Sequence, residues 1–208
     1  MSRLGAERYA VQNPILRYAR ESGWTYLPPE EALRLRRGET GLVLHEVLVD
    51  RLQRLNPGVV DHLRAEEIIR RLEMVPPTTE GNLGVWEYLK GLKTVFVETE
   101  RRERNVWLLD PANAANTFHV SNEFSYTNGT HTIRADVVFM INGIPVVIVE
   151  TKSAKHLEGI AEALDQVRRY HREGPELMAV LQLFKVPNHG KLFRALLRAY
   201  LAQEERVR

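Results

Sequence analysis

No cysteine occurs anywhere in the 208 residues, which excludes a disulfide framework, a thiolate zinc site and nucleophilic thiol chemistry. Long apolar runs are missing too. The longest, Ile144 to Val149, is far short of a membrane span, and the N-terminus lacks the three regions of a signal peptide. A cytoplasmic location with no membrane association is the expectation. There is no internal repeat, no low-complexity tract and no phosphate-cradling Gly-x-x-x-x-Gly-Lys-Ser/Thr loop, so these residues alone are not expected to hydrolyse ATP. Net charge is also slight, at +2. The basic residues are nevertheless grouped, at Arg34, Arg36 and Arg37, at Arg101, Arg102 and Arg104, and at Arg168, Arg169 and Arg172. Such groups could line a phosphate track or be ordinary solvated faces.

What is present fits one principal domain of α/β type. Residues 1–75 read as a helical N-terminal region, with segments at Glu30–Arg37, Gly41–Leu55 and Asp61–Leu72. Leu44, Leu48, Leu52 and Leu55 recur at helical spacing until Asn56-Pro57-Gly58 stops them, and Asp61 can cap the third segment. Residues 76–208 read as the core. A short helix over Glu80–Lys90 precedes strands at Thr94–Glu98, Asn105–Leu109, Thr117–Tyr126, Thr132–Ile141 and Ile144–Thr151, an antiparallel meander rich in β-branched and aromatic residues. A polar helix over Leu157–Arg172, an apolar strand within Leu177–Val186 and a C-terminal helix near Lys191–Glu205 complete the order.

The chemistry concentrates at Glu150-Thr151-Lys152. These residues end a strand that is otherwise apolar on both sides, so it should be central and buried. Alternation puts Glu150 and Lys152 on one face, where burial is costly unless they meet each other, a metal or a substrate. An acid-x-Lys triplet is weak by itself, since a chain of this make-up holds about 0.8 by chance. Asp136 on the preceding strand strengthens it.

Register then becomes decisive. A plain two-residue turn at Asn142-Gly143 pairs Asp136 with Val149 and leaves Asp136 and Glu150 on opposite faces. A three-residue connection, Ile141-Asn142-Gly143 with a left-handed Gly143, pairs Met140 with Ile144 and Asp136 with Ile148, and is expected because it puts Asp136, Glu150 and Lys152 on one face. Two adjacent carboxylates favour a hard divalent cation, magnesium or else manganese. Such an ion would activate water against a phosphate, with the Lys152 ammonium offsetting charge.

The run Arg134-Ala135-Asp136-Val137-Val138, followed by Asn142-Gly143-Ile144-Pro145 and Glu150-Thr151-Lys152-Ser153, resembles the signature of type I restriction R subunits within the PD-(D/E)xK nuclease superfamily. Gln166-Val167-Arg168-Arg169-Tyr170 is similar to the Gln-x-x-x-Tyr element of this subgroup and of RecB-like nucleases, and Leu108 to Phe124 resembles the segment before the family's aspartate. Ala135 departs from the pattern, standing where the family has proline.

The resemblance implies a restriction-endonuclease-like mixed sheet flanked by helices. It also implies metal-dependent endonuclease action on double-stranded DNA, with methyltransferase and specificity subunits as partners. Asp136 and Glu150 would be metal ligands, Lys152 the catalytic cation, and Gln166 with Tyr170 its supports. Glu46, on an early helix, is the candidate for the extra acidic metal ligand often found in the family. ATP would enter only through a motor region that this chain lacks. Two alternatives stay open, a RecB-like exonuclease or repair nuclease, and a catalytically silent DNA-binding or assembly module.

Overall fold

The computed structural model describes residues 12–151 and 159–185. Among them, a five-stranded mixed sheet runs in the order β1-β4-β5-β6-β7, from β1 (Thr25–Tyr26), β4 (Phe118–Thr127), β5 (Thr132–Ile141), β6 (Ile144–Val149) and β7 (Leu183–Lys185). β4, β5 and β6 form the expected meander, whereas the two edge strands pair in parallel, β1 with β4 and β7 with β6. A separate ribbon joins β2 (Thr94–Val97) to β3 (Arg102–Asn105). The helices are α1 (Asn13–Glu21), α2 (Pro29–Leu35), α3 (His45–Leu55), α4 (His62–Glu73), α5 (Thr79–Leu89), α6 (Gly159–Glu173) and α7 (Pro175–Val180).

The main core lies on one face of the sheet, where Val138, Met140 and Ile148 meet Leu44, Leu48 and Leu52 from α3 and the segment before it, Ile68 and Ile69 of α4, and Leu177 of α7. The alternate residues Val137, Phe139 and Val149 face the other way, onto Ile15 and Ala19 of α1. Both faces of the sheet's centre are therefore covered, which explains why β6 is apolar throughout. The N-terminal third is not purely helical, because Thr25 and Tyr26 extend the sheet.

Several boundaries differ from the sequence pattern for identifiable reasons. The second ribbon strand ends at Asn105. Val106 and Leu108 alternate inward as a strand would, but side chains take the backbone's bonds. Asn56 brackets Trp107, Nδ2 donating to its carbonyl at 2.8 Å and Oδ1 accepting from its amide at 2.7 Å. The apolar run after Pro175 is a short buried helix before it is a strand, a distinction that hydrophobicity alone cannot make. α3 begins at His45, not Gly41, because the Leu44 amide donates to the Gly143 carbonyl at 2.8 Å and holds the chain extended. The expected C-terminal helix lies outside the described residues.

The β5–β6 connection corrects the expected register. It is a two-residue turn, with Asn142 at φ 52° and Gly143 at φ 86°, and it pairs Ile141 with Ile144. Met140 then faces Pro145, while Phe139 faces Val147, so Val146 is an extra residue bulged out of β6. Pro145 cannot donate to a ladder, and a bulge is where an interior strand tolerates it. The one-residue slip restores what the turn alone would forbid. Beyond it Val137 pairs with Val149, and the same register carried one step further sets Asp136 against Glu150.

Candidate active site

Asp136 and Glu150 are clasped reciprocally at the end of β6. The Asp136 amide donates to Glu150 Oε1 at 3.3 Å, and the Thr151 amide and hydroxyl each donate to Asp136 Oδ2 at 2.7 Å. Side chains thus replace the ladder bonds that would continue β6, which is why the strand stops at Val149. Glu150 is fully buried and Thr151 nearly so, whereas Asp136 keeps partial contact with solvent. A buried carboxylate of this kind needs donors or a cation.

Tyr170 supplies one such donor from α6. Its hydroxyl lies 2.9 Å from Glu150 Oε1 and 2.5 Å from the Arg134 carbonyl, sharing one proton between two acceptors, and accepts from Gln166 Nε2 at 2.8 Å. The four-residue spacing puts Gln166 and Tyr170 on one face of the helix. Burial, and after it the negative charge of Glu150, pushes the Tyr170 phenol well above its ordinary pKa, so it remains a donor.

Of the residues singled out from the sequence, Asp136, Glu150, Gln166 and Tyr170 therefore converge. Lys152 lies outside the described residues. Glu46 does not join them. It bonds Arg37 at 2.6 Å, which holds its carboxyl below the usual range, in a group that also contains His45 and Glu66. Its helix starts beside the β5–β6 turn, whereas Asp136 lies well back along β5 and Glu150 just past the far end of β6.

The basic groups are largely engaged. Arg36 is buried, donates to the Gly41 and Ser125 carbonyls and stacks 3.8 Å over Phe124. Arg34 pairs with Glu31, Arg102 and Arg104 with Glu100, and Arg168 with Asp165. The role of Thr151 and of the Arg134 carbonyl was not foreseen. Its only signal was a hydroxyl residue between two charged ones.

The pair suits a hard divalent ion. Among the described residues no three His, Asp or Glu side chains gather as a ligand group, but two carboxylates are what magnesium takes from protein when water and phosphate oxygens complete its shell. Asp136 Oδ1 receives none of the bonds that tie Oδ2 down.

A mixed sheet ending in a clasped Asp–Glu pair, backed by a Gln-x-x-x-Tyr helix face, is consistent with the restriction-endonuclease-like arrangement that the sequence resemblance implies. The family model for the N terminus of type I restriction enzyme R proteins matches residues 6–192, and the chain belongs to that family. Similar proteins include MjaVIIIP of Methanocaldococcus jannaschii, named as a type I restriction enzyme endonuclease subunit, 26% identical over 93% of this chain and 19% of that protein. The EcoprrI endonuclease subunit of Escherichia coli is 38% identical over 45% of this chain and 30% of that protein. The chain thus spans less than a third of these relatives' length. Among the described residues no helix is long and apolar enough to cross a membrane.

Proposed function

We propose that this chain is the nuclease part of a type I restriction R protein and hydrolyses phosphodiester bonds in double-stranded DNA with magnesium, or manganese in its place. The observation that carries the reading is the reciprocal clasp of Asp136 and Glu150, in a chain of this family. Asp136 and Glu150 would hold the ion, which supplies a polarised water and neutralises charge on the phosphate. Thr151 fixes the rotamer of Asp136 by two bonds to one oxygen, and the other oxygen would be the one to ligate the ion. Tyr170 orients Glu150, and Gln166 orients Tyr170. Lys152, two residues beyond Glu150 in the sequence, would supply positive charge to offset that developing on the phosphate.

Recognition of a DNA sequence belongs to methyltransferase and specificity subunits, because phosphate contacts position a duplex without reading it. ATP would act only through a motor region outside these 208 residues.

The test is magnesium-dependent cleavage of a closed circular duplex by the wild type, Asp136→Asn, Glu150→Gln and Lys152→Ala, each alone and with the partner subunits of its system. Cleavage by the wild type with at least a hundredfold loss in each variant is expected, about 2.7 kcal/mol of barrier. Equal rates in wild type and Lys152→Ala would remove Lys152 from the chemistry. Activity on linear but not circular DNA would favour an exonuclease.

A further inference from the structure

Among the described residues, five non-glycine positions have left-handed backbone, and Glu123, at φ 51°, is the one inside a strand. It sits opposite Asp136. The β4–β5 ladder pairs Asn122 with Val137 and Phe124 with Ala135, but the Glu123–Asp136 step between them is not paired. Both strands change faces there. In β4, Val120 lies in the α1-side cluster and Phe124 in the main core, two residues from Asn122 where alternation would keep them together. In β5, Ile133 and Ala135 face the main core, as do Val138 and Met140, so the step from Ala135 to Val138 is three positions where alternation takes two. The phase break falls on Asp136, whose amide turns to Glu150 Oε1.

We infer that Glu123 is a positioning residue, whose left-handed backbone breaks the ladder and aims Asp136 at Glu150. Its side chain pairs with Arg134 Nη1 at 3.1 Å, on the residue whose carbonyl meets the Tyr170 hydroxyl. Arg134 therefore links Glu123 to the Tyr170 hydroxyl that donates to Glu150. This inference rests on the nuclease reading for its catalytic meaning but not for its geometry.

The series Glu123→Gly, →Asn, →Ala and →Val separates backbone from side chain, since Gly and Asn enter the left-handed region readily and a β-branched residue does not. Two quantities are read on the full chain: manganese affinity by electron paramagnetic resonance, and exchange of the Asp136 amide by NMR. Gly and Asn should stay within about threefold of wild type, while Val weakens manganese binding and speeds exchange by about tenfold or more, with Ala between. If the Val chain does not fold, Ala takes its place in the comparison. Val behaving as wild type, or Gly and Asn losing as much as Val, would overturn the inference. A wild type that binds no manganese would sink the nuclease reading, while the exchange series still decides the positioning role.

Discussion

At the scale of single residues, the site is governed by how a buried glutamate is kept supplied with donors. Removing the Tyr170 hydroxyl takes one donor from Glu150 and one acceptor from Gln166 Nε2. Tyr170→Phe is expected to lower stability by about 1–3 kcal/mol, read from urea unfolding, and to slow cleavage in the same protein. Loss of neither would mean that the hydroxyl is a bystander. The pH dependence has a definite sign. The phenols of Tyr170 and Tyr126 are raised in the fold, both chiefly by burial and Tyr126 to about 12, so their contribution is complete below the ordinary tyrosine pKa. It is lost as pH rises from about 10 through the folded values, and thermal stability should fall across that range. Tyr170→Phe and Tyr126→Phe should each make that fall shallower.

At the scale of elements, the β5–β6 hairpin decides whether there is a site. Inserting one alanine between Ile148 and Val149 shifts the end of β6 by one position, setting Asp136 against Val149 and turning Glu150 to the other face. The insertion should abolish manganese binding even in molecules that keep their β-structure by circular dichroism; retained binding would show that the Asp136–Glu150 register is dispensable. The turn itself is held by Asn142, whose side chain donates to the Leu108 carbonyl and to Asn116 Oδ1. Gly143 is needed both for its φ and for closeness, since a Cβ there would lie 2.7 Å from the Leu44 carbonyl oxygen. Gly143→Ala is expected to cost about 1–3 kcal/mol in chemical unfolding.

This hairpin also marks the limit of what could be read from the sequence. The turn was legible from Asn142-Gly143, and the strands from their β-branched content. Asp61 declared itself as a cap, and its side chain does accept from the Arg64 amide. The bulge was not legible, because a strand buried on both faces carries no alternation to reveal its register. Nor was the break at Glu123, since glutamate has no intrinsic preference for left-handed backbone. Asp136 and Glu150 were identifiable by their chemistry, yet the route that brings them together is a slip and a kink that composition does not record. Glu46 misled because a carboxylate early on a helix looks the same whether it faces a metal or Arg37.

At the scale of the whole molecule, the N-terminal helices and the sheet share one core, with Leu48 and Ile148 both fully buried in it. Leu48→Ala should cost about 2–5 kcal/mol and shift a single unfolding transition, read by calorimetry; two separate transitions would contradict a shared core. DNA affinity should fall as salt rises from about 50 to 200 mM. The slope should be modest for so many arginines, because Arg34, Arg36, Arg102, Arg104 and Arg168 already have partners within the protein.

The most direct measurement is manganese affinity in the wild type, Asp136→Asn, Glu150→Gln and the double variant. If the two carboxylates share one ion, each single change removes most of the binding and the double change adds little more. Affinity that survives both changes would contradict the account.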